Sequence, residues 1–499
     1  MSRLSFPALS LLLLAAAGPN LRADTSTATV PVVRQTPDNL PPLTLRDCVS
    51  RAVSKNFRVE MQTLTVQNAR DAVESALALF DPSLSASVAY SSTQAPDGSG
   101  SGNETSTAIL SLSASQKIAS GGTFRLSGNI DNVDRDPATT PYNPVYDSDI
   151  ALSFSQPLLK NFGSNVTRSS IAIARLGSQI ADSDFKATVL QLIYEVETAY
   201  YNLAFARGQR DVRASSLDLS KRLLDENTSR RNVGVGTDLE VLQARVGVAN
   251  DTRDLLLAEK NVSDQQELLL TLVGRFELDS ILGNIDLGDD PEIQTDTNRS
   301  YARARAAYPD YASAELLVQQ LKIERENALN KRRPNLDVDA AVGYDTRQSG
   351  FGRSITKVWG RDGYNWSVGL TLSFPWGLRA EKAQARQAAA NLRREELGLE
   401  RLDQEIMANV RAAVRAVETN KESLRISRLA SLLSEKQYEQ EKARYDAGLS
   451  TFRRVQESQQ DVYAARVSEL QARINLRLAI AALARLEAAS LETYSITLK

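Results

Sequence analysis

The residues that carry most enzyme chemistry are scarce in this chain of 499 residues. It contains no histidine, which removes the commonest general base and the commonest transition-metal ligand. Its single cysteine, Cys48, excludes an intrachain disulfide and a cysteine-based zinc site, and a catalytic thiol would lack an activating histidine. We therefore interpret Cys48 as a small structural residue, and we predict neither a cofactor nor a metal site.

Carboxyl groups are then the remaining candidates for acid–base chemistry. Asp337 and Asp339 lie two residues apart in a segment of alternating polarity, so both would project from one face of a strand. That placement fits a strand face in contact with water better than it fits acid–base catalysis. The 59 basic and 61 acidic residues leave a net charge of -2, and this near balance gives no reason to expect the basic patch that nucleic-acid binding needs. The sequence therefore predicts neither an enzyme nor a nucleic-acid-binding protein.

The amino-terminal residues have the pattern of a secretory signal. An arginine near the start supplies positive charge, and a leucine-rich apolar stretch extends to Ala17. Small residues permit cleavage after Ala17 or Ala23. We favour Ala23, which gives a signal peptide over residues 1–23 and a linker over 24–42. No later run of about 18 apolar residues predicts a membrane-spanning helix, so the chain would enter a membrane only as a closed β-barrel.

Matching segments recur along the chain in a constant order, which indicates an internal duplication. Pro82 matches Pro334 at a spacing of 252 residues, and Gly234 matches Gly448 at a spacing of 214. The constant spacing within each block indicates one unit present twice, with insertions in loops. We divide the chain into a first copy, a connector, a second copy and a tail, at residues 43–274, 275–300, 301–489 and 490–499.

Each copy contains segments in which apolar and polar residues alternate, the pattern of a strand with one wet face. They lie at about 83–157 in the first copy and at about 335–375 in the second. A barrel with lipid outside and water inside would produce this pattern, and so would a soluble sandwich that faces its own core. Aromatic residues near the strand ends, such as Trp366, favour the membrane. An extra alternating pair around Gly121 predicts a hairpin inserted in the first copy.

Very long helices follow the strands in both copies. The stretches 169–232 and 379–447 contain no proline, and in the second of them apolar residues recur at spacings of three and four. At 1.5 Å per residue, each helix would be roughly 100 Å long, and it would pack against neighbouring helices as a coiled coil. Glycines interrupt the pattern at Gly234 and Gly236 in the first copy and at Gly448 in the second, and another helix follows each break. The sequence thus predicts a mostly α protein built from duplicated helix–strand–long helix units.

Four motifs connect this pattern to a known family: Leu43-Thr-Leu-Arg-Asp, Gln156-Pro-Leu-Leu, Gly234-Val-Gly-Thr-Asp-Leu-Glu-Val-Leu-Gln-Ala and Arg444-Tyr-Asp-Ala-Gly. In this order, and within duplicated units, they resemble the outer membrane efflux protein family, the TolC-like exit ducts. The resemblance implies a homotrimer in the outer membrane, whose transmembrane β-barrel continues into an α-helical barrel in the periplasm. It implies two strands per copy and hence a twelve-stranded barrel, although the hairpin near Gly121 leaves the strand count open.

For function, the resemblance implies a passive exit duct of a tripartite efflux or type I secretion system. Its partners would be two further copies of the chain, a periplasmic adaptor protein, an inner-membrane pump and outer-membrane lipid, and it would need no cofactor. A non-transporting surface protein with a coiled-coil stalk, structural or adhesive, is the alternative. The amphipathic strands distinguish the two, because a stalk does not need them.

The family constricts its periplasmic mouth with acidic side chains near the glycine turns and with hydrogen bonds between helical hairpins. By that resemblance the candidate gate and lumen residues are Glu240, Tyr445, Arg454 and Glu457, beside the turns at Gly234, Gly236 and Gly448. Glu457 would form a threefold acidic ring that favours cations. Arg454 stands where the family often has an acid, so it would weaken this selectivity or pair with Glu240 and lock the mouth. The alternative interpretation is that these residues are ordinary solvated charges on helices.

Overall fold

The structure is a computed structural model, and it describes residues 43–95, 103–136, 138, 141–274, 283–285, 287, 295–360 and 363–497. The predicted signal peptide and linker lie outside the described residues, as does most of the predicted connector. In the part of the chain that is described, no helix combines the length and the apolar character needed to cross a membrane.

Two capped helices open the first half of the chain. The side chain of Thr44 accepts a hydrogen bond from a backbone N–H of the first turn and so begins α1 (Leu45–Lys55). Asn56 ends α1 and its side chain caps α2 (Phe57–Leu77) in the same way. A turn of 3-10 helix then leads to Pro82, after which the sheet begins.

The six strands of the described residues form one antiparallel sheet in chain order, so neighbours in sequence are also neighbours in space. Four strands come from the first half and two from the second. Because β4 pairs with β5, the two halves share a single sheet. The strands are β1 Ser83–Ala95, β2 Asn103–Lys117, β3 Thr123–Asp136, β4 Val145–Pro157, β5 Asn335–Gln348 and β6 Gly363–Ser373.

The first half therefore supplies four strands, and the two strands per copy implied by the family resemblance are wrong for this half. The extra pair, β2 and β3, is the hairpin predicted around Gly121, and it turns through residues 118–122. β2 pairs with β1 and β3 pairs with β4 over nearly their whole length. The inserted hairpin thus widens the sheet by two strands instead of forming a separate loop.

Two long helical hairpins follow the strands. α4 (Ser169–Asn232) has 64 residues and α9 (Arg379–Asp446) has 68, so each is about 100 Å long. After a tight turn, α5 (Asp238–Val273) and α10 (Phe452–Leu486) run back alongside them. Since α4 and α9 begin next to the sheet, the turns lie at the end of the molecule farthest from it.

The second half has the same order of elements as the first: two helices, strands, a long helix and a returning helix. A short helix connects β5 to β6, another precedes α4, and a last one lies in the predicted tail. These remaining helices are α3 Ser164–Thr167, α6 Thr297–Ala307, α7 Pro309–Asn330, α8 Phe351–Lys357 and α11 Ser490–Thr493.

The largest buried cluster joins α1 to the first helical hairpin. Cys48 and Val49 of α1 pack with Val196 and Tyr200 of α4 and with Leu269 of α5. Burial raises the pKa of the Cys48 thiol to about 12, so the thiol stays protonated and unreactive, as a structural residue should. A second cluster packs α9 against α10, and contacts between α4 and α10 join the two hairpins.

Candidate functional site

Glycine makes both helical turns possible. Gly234 and Gly448 have φ values of +83° and +73°, in the left-handed region that residues with a Cβ disfavour. The N–H groups of the two residues after Gly234 both donate to the carbonyl oxygen of Arg230, which closes the end of α4. A Cβ on Gly236 would lie 2.9 Å from the backbone nitrogen of Arg231, so this position also favours glycine.

Glu240 belongs to the cap that begins α5. Its carboxylate accepts a hydrogen bond from the backbone N–H of Thr237 at 2.8 Å, and the Thr237 hydroxyl accepts one from the N–H of Glu240 at 3.3 Å. This reciprocal capping box satisfies two helix-end donors. Within one chain, the described residues contain no ion pair between Glu240 and Arg454, so the lock considered from the sequence is not formed there.

Tyr445 joins the two helical hairpins near their turns. Its hydroxyl donates to Oδ1 of Asn227 on α4 at 3.2 Å, and both side chains are buried. Nδ2 of Asn227 donates to the carbonyl oxygen of Leu223 at 2.8 Å, so the amide oxygen is turned towards Tyr445. Burial raises the pKa of Tyr445 despite the opposing charge of Arg230, so the hydroxyl remains a donor at neutral pH.

A small apolar cluster surrounds this hydrogen bond. Phe452 at the start of α10 packs with Tyr445, and Leu223 and Ala244 bring in α4 and α5. The guanidinium carbon of Arg230 lies 4.8 Å from the centre of the Tyr445 ring, within the range of a cation–π interaction. All four long helices therefore meet in one buried contact beside the turns.

Arg454 and Glu457 are exposed on the first turns of α10 and lie outside this contact. Glu457 accepts a hydrogen bond from Nε of Arg453, one helical turn away, at 2.8 Å. Both partners are more than half exposed, so the pair adds little stability and exchanges easily with water or ions. Two arginines and one glutamate leave a net positive charge on this surface.

Sequence reasoning missed several residues of the buried contact and of its surroundings. Asn227 and Arg230 on α4 and Phe452 on α10 complete the contact, and Arg453 neutralises Glu457. Their one signal in the sequence was their position within two helical turns of the glycines. Position alone did not separate them from the neighbouring polar residues of the same helices.

The six-stranded sheet has one apolar and one polar face. Leu84 is 81% exposed and Trp366 is 71% exposed, so the apolar face is uncovered in a single chain. Soluble monomers rarely expose so large a continuous apolar surface. The register places one row of this face across all the strands: Leu84, Ala114, Leu126, Leu152, Val342 and Trp366.

The opposite face of the sheet carries hydroxyl, amide and carboxylate groups. Serine hydroxyls pair across β1 and β2 at 2.7 Å. Arg347 makes a two-pronged ion pair with Asp147 across β5 and β4, at 2.7 and 2.9 Å. Asp337 and Asp339 lie on this face, as their spacing predicted. These groups are suited to contact with water.

Solved structures of outer-membrane proteins, two of them channels, have the same fold at low sequence identity. CmeC of Campylobacter jejuni has a TM-score of 0.68 at 15% identity, over 91% of this chain and 90% of that one. The outer-membrane channel OprN has a TM-score of 0.67 at 18% identity, over 94% and 98%. VceC of Vibrio cholerae has a TM-score of 0.66 at 14% identity, over 89% and 95%. No curated protein sequence matches the chain.

The family model of the outer membrane efflux protein matches residues 123–275 and 300–488, which is more than half of the chain. The matched residues include β3 to β6 and all four long helices, the elements that form the two-faced sheet and the helical hairpins. The predicted outer-membrane location and the prediction that the chain is not an enzyme are thereby confirmed. The chain belongs to the outer membrane efflux protein family, whose members are transport conduits.

Proposed function

We propose that three copies of this chain form a passive exit duct across the outer membrane and the periplasm. The observation that carries the proposal is the two-faced sheet, whose apolar face is exposed in a single chain. If the sheets of three copies close into a barrel, that face contacts lipid and the polar face lines a water-filled lumen. Closure is required, because an open sheet edge leaves backbone groups without hydrogen bonds in lipid.

The proposed partners are a periplasmic adaptor protein and an inner-membrane pump, in a tripartite efflux or a type I secretion system. Apolar side chains at the helical turns support a contact with an adaptor. Val233, Val235 and Leu449 are each more than two-thirds exposed at the end of the molecule farthest from the sheet. Exposed apolar residues concentrated at one tip are typical of a protein-interaction surface.

At this tip we assign the candidate residues to a mouth that opens and closes. The hydrogen bond of Tyr445 to Asn227 holds the two hairpins of one chain together and so favours a narrow mouth. Glu240 and the glycines at 234, 236 and 448 shape the turns. Glu457 supplies negative charge to the lumen, and Arg453 and Arg454 oppose it.

Substitution of Glu457 by alanine tests its place in the lumen. The change removes one carboxylate per copy and leaves Arg453 without its partner, so the ratio of cation to anion permeability should fall. The measurement is the reversal potential of single channels in asymmetric salt. Asp264→Ala, which breaks a similar exposed pair with Lys260 far from the turn, is the matched control. Equal selectivity in the wild type and in Glu457→Ala would remove Glu457 from the lumen.

The function itself is tested by adding the purified protein to planar lipid bilayers. An exit duct should produce discrete conductance steps without ATP or any other energy source. A folded, trimeric preparation that gives no steps would refute the duct. The alternative, a surface coiled-coil protein, predicts a chain that needs no detergent and whose electrophoretic mobility does not change on heating, whereas a barrel shows both properties.

A further inference from the structure

The β2–β3 hairpin is built into the wall of the sheet. It lies between β1 and β4 and pairs with both, so it cannot leave the wall without breaking two sets of backbone hydrogen bonds. A tilted strand needs about 9–11 residues to cross a bilayer, and β2 and β3 are longer, with 15 and 14 residues. Leu112 and Leu126 continue the apolar face of the neighbouring strands.

The turn of this hairpin is fastened where the sheet meets the helices. Gly163, just before α3, donates its backbone N–H to the carbonyl oxygen of Ser120 at 3.0 Å. The Ser120 hydroxyl donates to Oε1 of Gln156 at 2.7 Å, and Nε2 of Gln156 donates back to the carbonyl oxygen of Ser120 at 3.2 Å. Gly121 has a φ of +97°, and a Cβ there would lie 2.6 Å from the carbonyl oxygen of Asn161. The hairpin is therefore tied to the same junction as β4.

The two edge strands, β1 and β6, lack the features that prevent strands from pairing. Natural proteins protect exposed edges with charged residues, prolines or bulges. β1 and β6 contain neither a charged residue nor a proline, whereas each of the four inner strands contains charged residues. An edge of this kind in a membrane needs a covering strand, and the chain itself offers one of the right type.

A second copy of the chain fits these edges. The sheet has an even number of antiparallel strands, so β1 of one copy and β6 of the next run antiparallel when the copies are related by rotation. The apolar residues of both strands lie on the same face of the sheet, so the joined sheets keep one lipid face and one water face.

We propose that each copy joins its β1 to β6 of the next copy, and that the closed barrel has eighteen strands instead of twelve. This inference rests on the proposed trimeric duct and concerns the width of its membrane pore. With strands about 4.8 Å apart and tilted by about 40°, eighteen strands give a backbone radius of about 18 Å and twelve give about 12 Å. The barrel cross-section is then about 2.3-fold larger.

Electron cryomicroscopy of the detergent-purified full chain decides the strand number. We expect a threefold tube with eighteen strands, six from each copy. A threefold tube with a twelve-stranded wall and the β2–β3 hairpin outside it would overturn the inference and leave the proposed duct intact. A protein that forms no threefold tube would overturn both.

Deletion of residues 103–136 gives a matched chain without the hairpin. Without β2 and β3, β1 becomes the neighbour of β4 in the sheet. These two strands already run antiparallel, so they can pair directly, and three copies with four strands each should form a twelve-stranded barrel. Its barrel radius should be smaller by about one third. An unchanged radius in this variant would contradict the proposal.

Disulfide crosslinking tests the edge contact in the full-length chain, whether or not the deletion variant folds. In a Cys48→Ala background, cysteines are introduced one at a time along the polar positions of β1, each together with Ser367→Cys on β6. One register should give covalent dimers and trimers. A trimeric protein in which no β1 position crosslinks would refute the pairing of β1 with β6.

Discussion

Replacement of Tyr445 by phenylalanine should open the mouth, because it removes one hydrogen bond and little else. The aromatic ring keeps its contacts with Phe452 and Arg230, and the lost group is the hydroxyl that donates to Asn227 at 3.2 Å. A hydrogen bond of this kind contributes about 1 kcal/mol. Three copies that open together would lose about 3 kcal/mol, which shifts the ratio of closed to open mouths roughly 100-fold.

The assay is single-channel recording of wild type and Tyr445→Phe in planar bilayers, with the fraction of time at high conductance as the readout. Tyr438→Phe is the matched control. Tyr438 lies two turns earlier on α9 and borders the same cluster, and among the described residues its hydroxyl makes no hydrogen bond. No change in Tyr445→Phe, or an equal rise in Tyr438→Phe, would refute the role of the hydroxyl.

Three further predictions concern the wall, the hairpin turn and the core. Leu112→Arg places a charge on the lipid face, which costs about 2–4 kcal/mol per copy near the bilayer centre. This variant should show no trimer on unheated gels. Ser113→Arg, on the polar face, is the control and should still show the trimer. Gly121 and Gly163 have nearly equal positive φ values, but a Cβ meets another atom within 4 Å only at Gly121. Gly121→Ala should therefore lower the temperature of trimer dissociation more than Gly163→Ala does. Burial raises the pKa of the Glu197 carboxyl, so the folded chain holds the carboxyl proton more tightly than the unfolded chain does. The free energy of unfolding therefore falls as the pH rises from the pKa of Glu197 in the unfolded chain to its higher pKa in the folded chain. Glu197→Gln should flatten this slope in thermal unfolding and gain stability relative to wild type at the upper end of this pH range; an unchanged slope would contradict it.

The long helices and their turns could be predicted because their signals are local and repeated. Residues 379–447 lack proline and carry apolar residues at helical spacing, and α9 occupies nearly all of this stretch. Gly234 and Gly448 marked the turns, and both adopt the positive φ for which glycine is suited. The inserted hairpin was also predictable from its alternation, but its integration into the wall was not, since strand pairing depends on residues far apart in sequence.

The buried contact beside the turns could not be derived from local rules. Tyr445 and Asn227 are separated by 218 residues, and their contact depends on how two hairpins pack side by side. Within one chain, the described residues do not form the suggested pair of Arg454 with Glu240. The Glu240 carboxylate instead accepts a hydrogen bond from the backbone N–H of Thr237, three residues away, in a capping box. At such positions, sequence identifies the charged groups but not the partners they select.

The mass of the protein particle tests the central claim most directly, since a single chain leaves the apolar face of its sheet uncovered. Native mass spectrometry of the mature protein, extracted from membranes with detergent, should give the mass of three chains. The protein should also precipitate when the detergent is removed. A monomer that stays soluble in water without detergent would contradict the account.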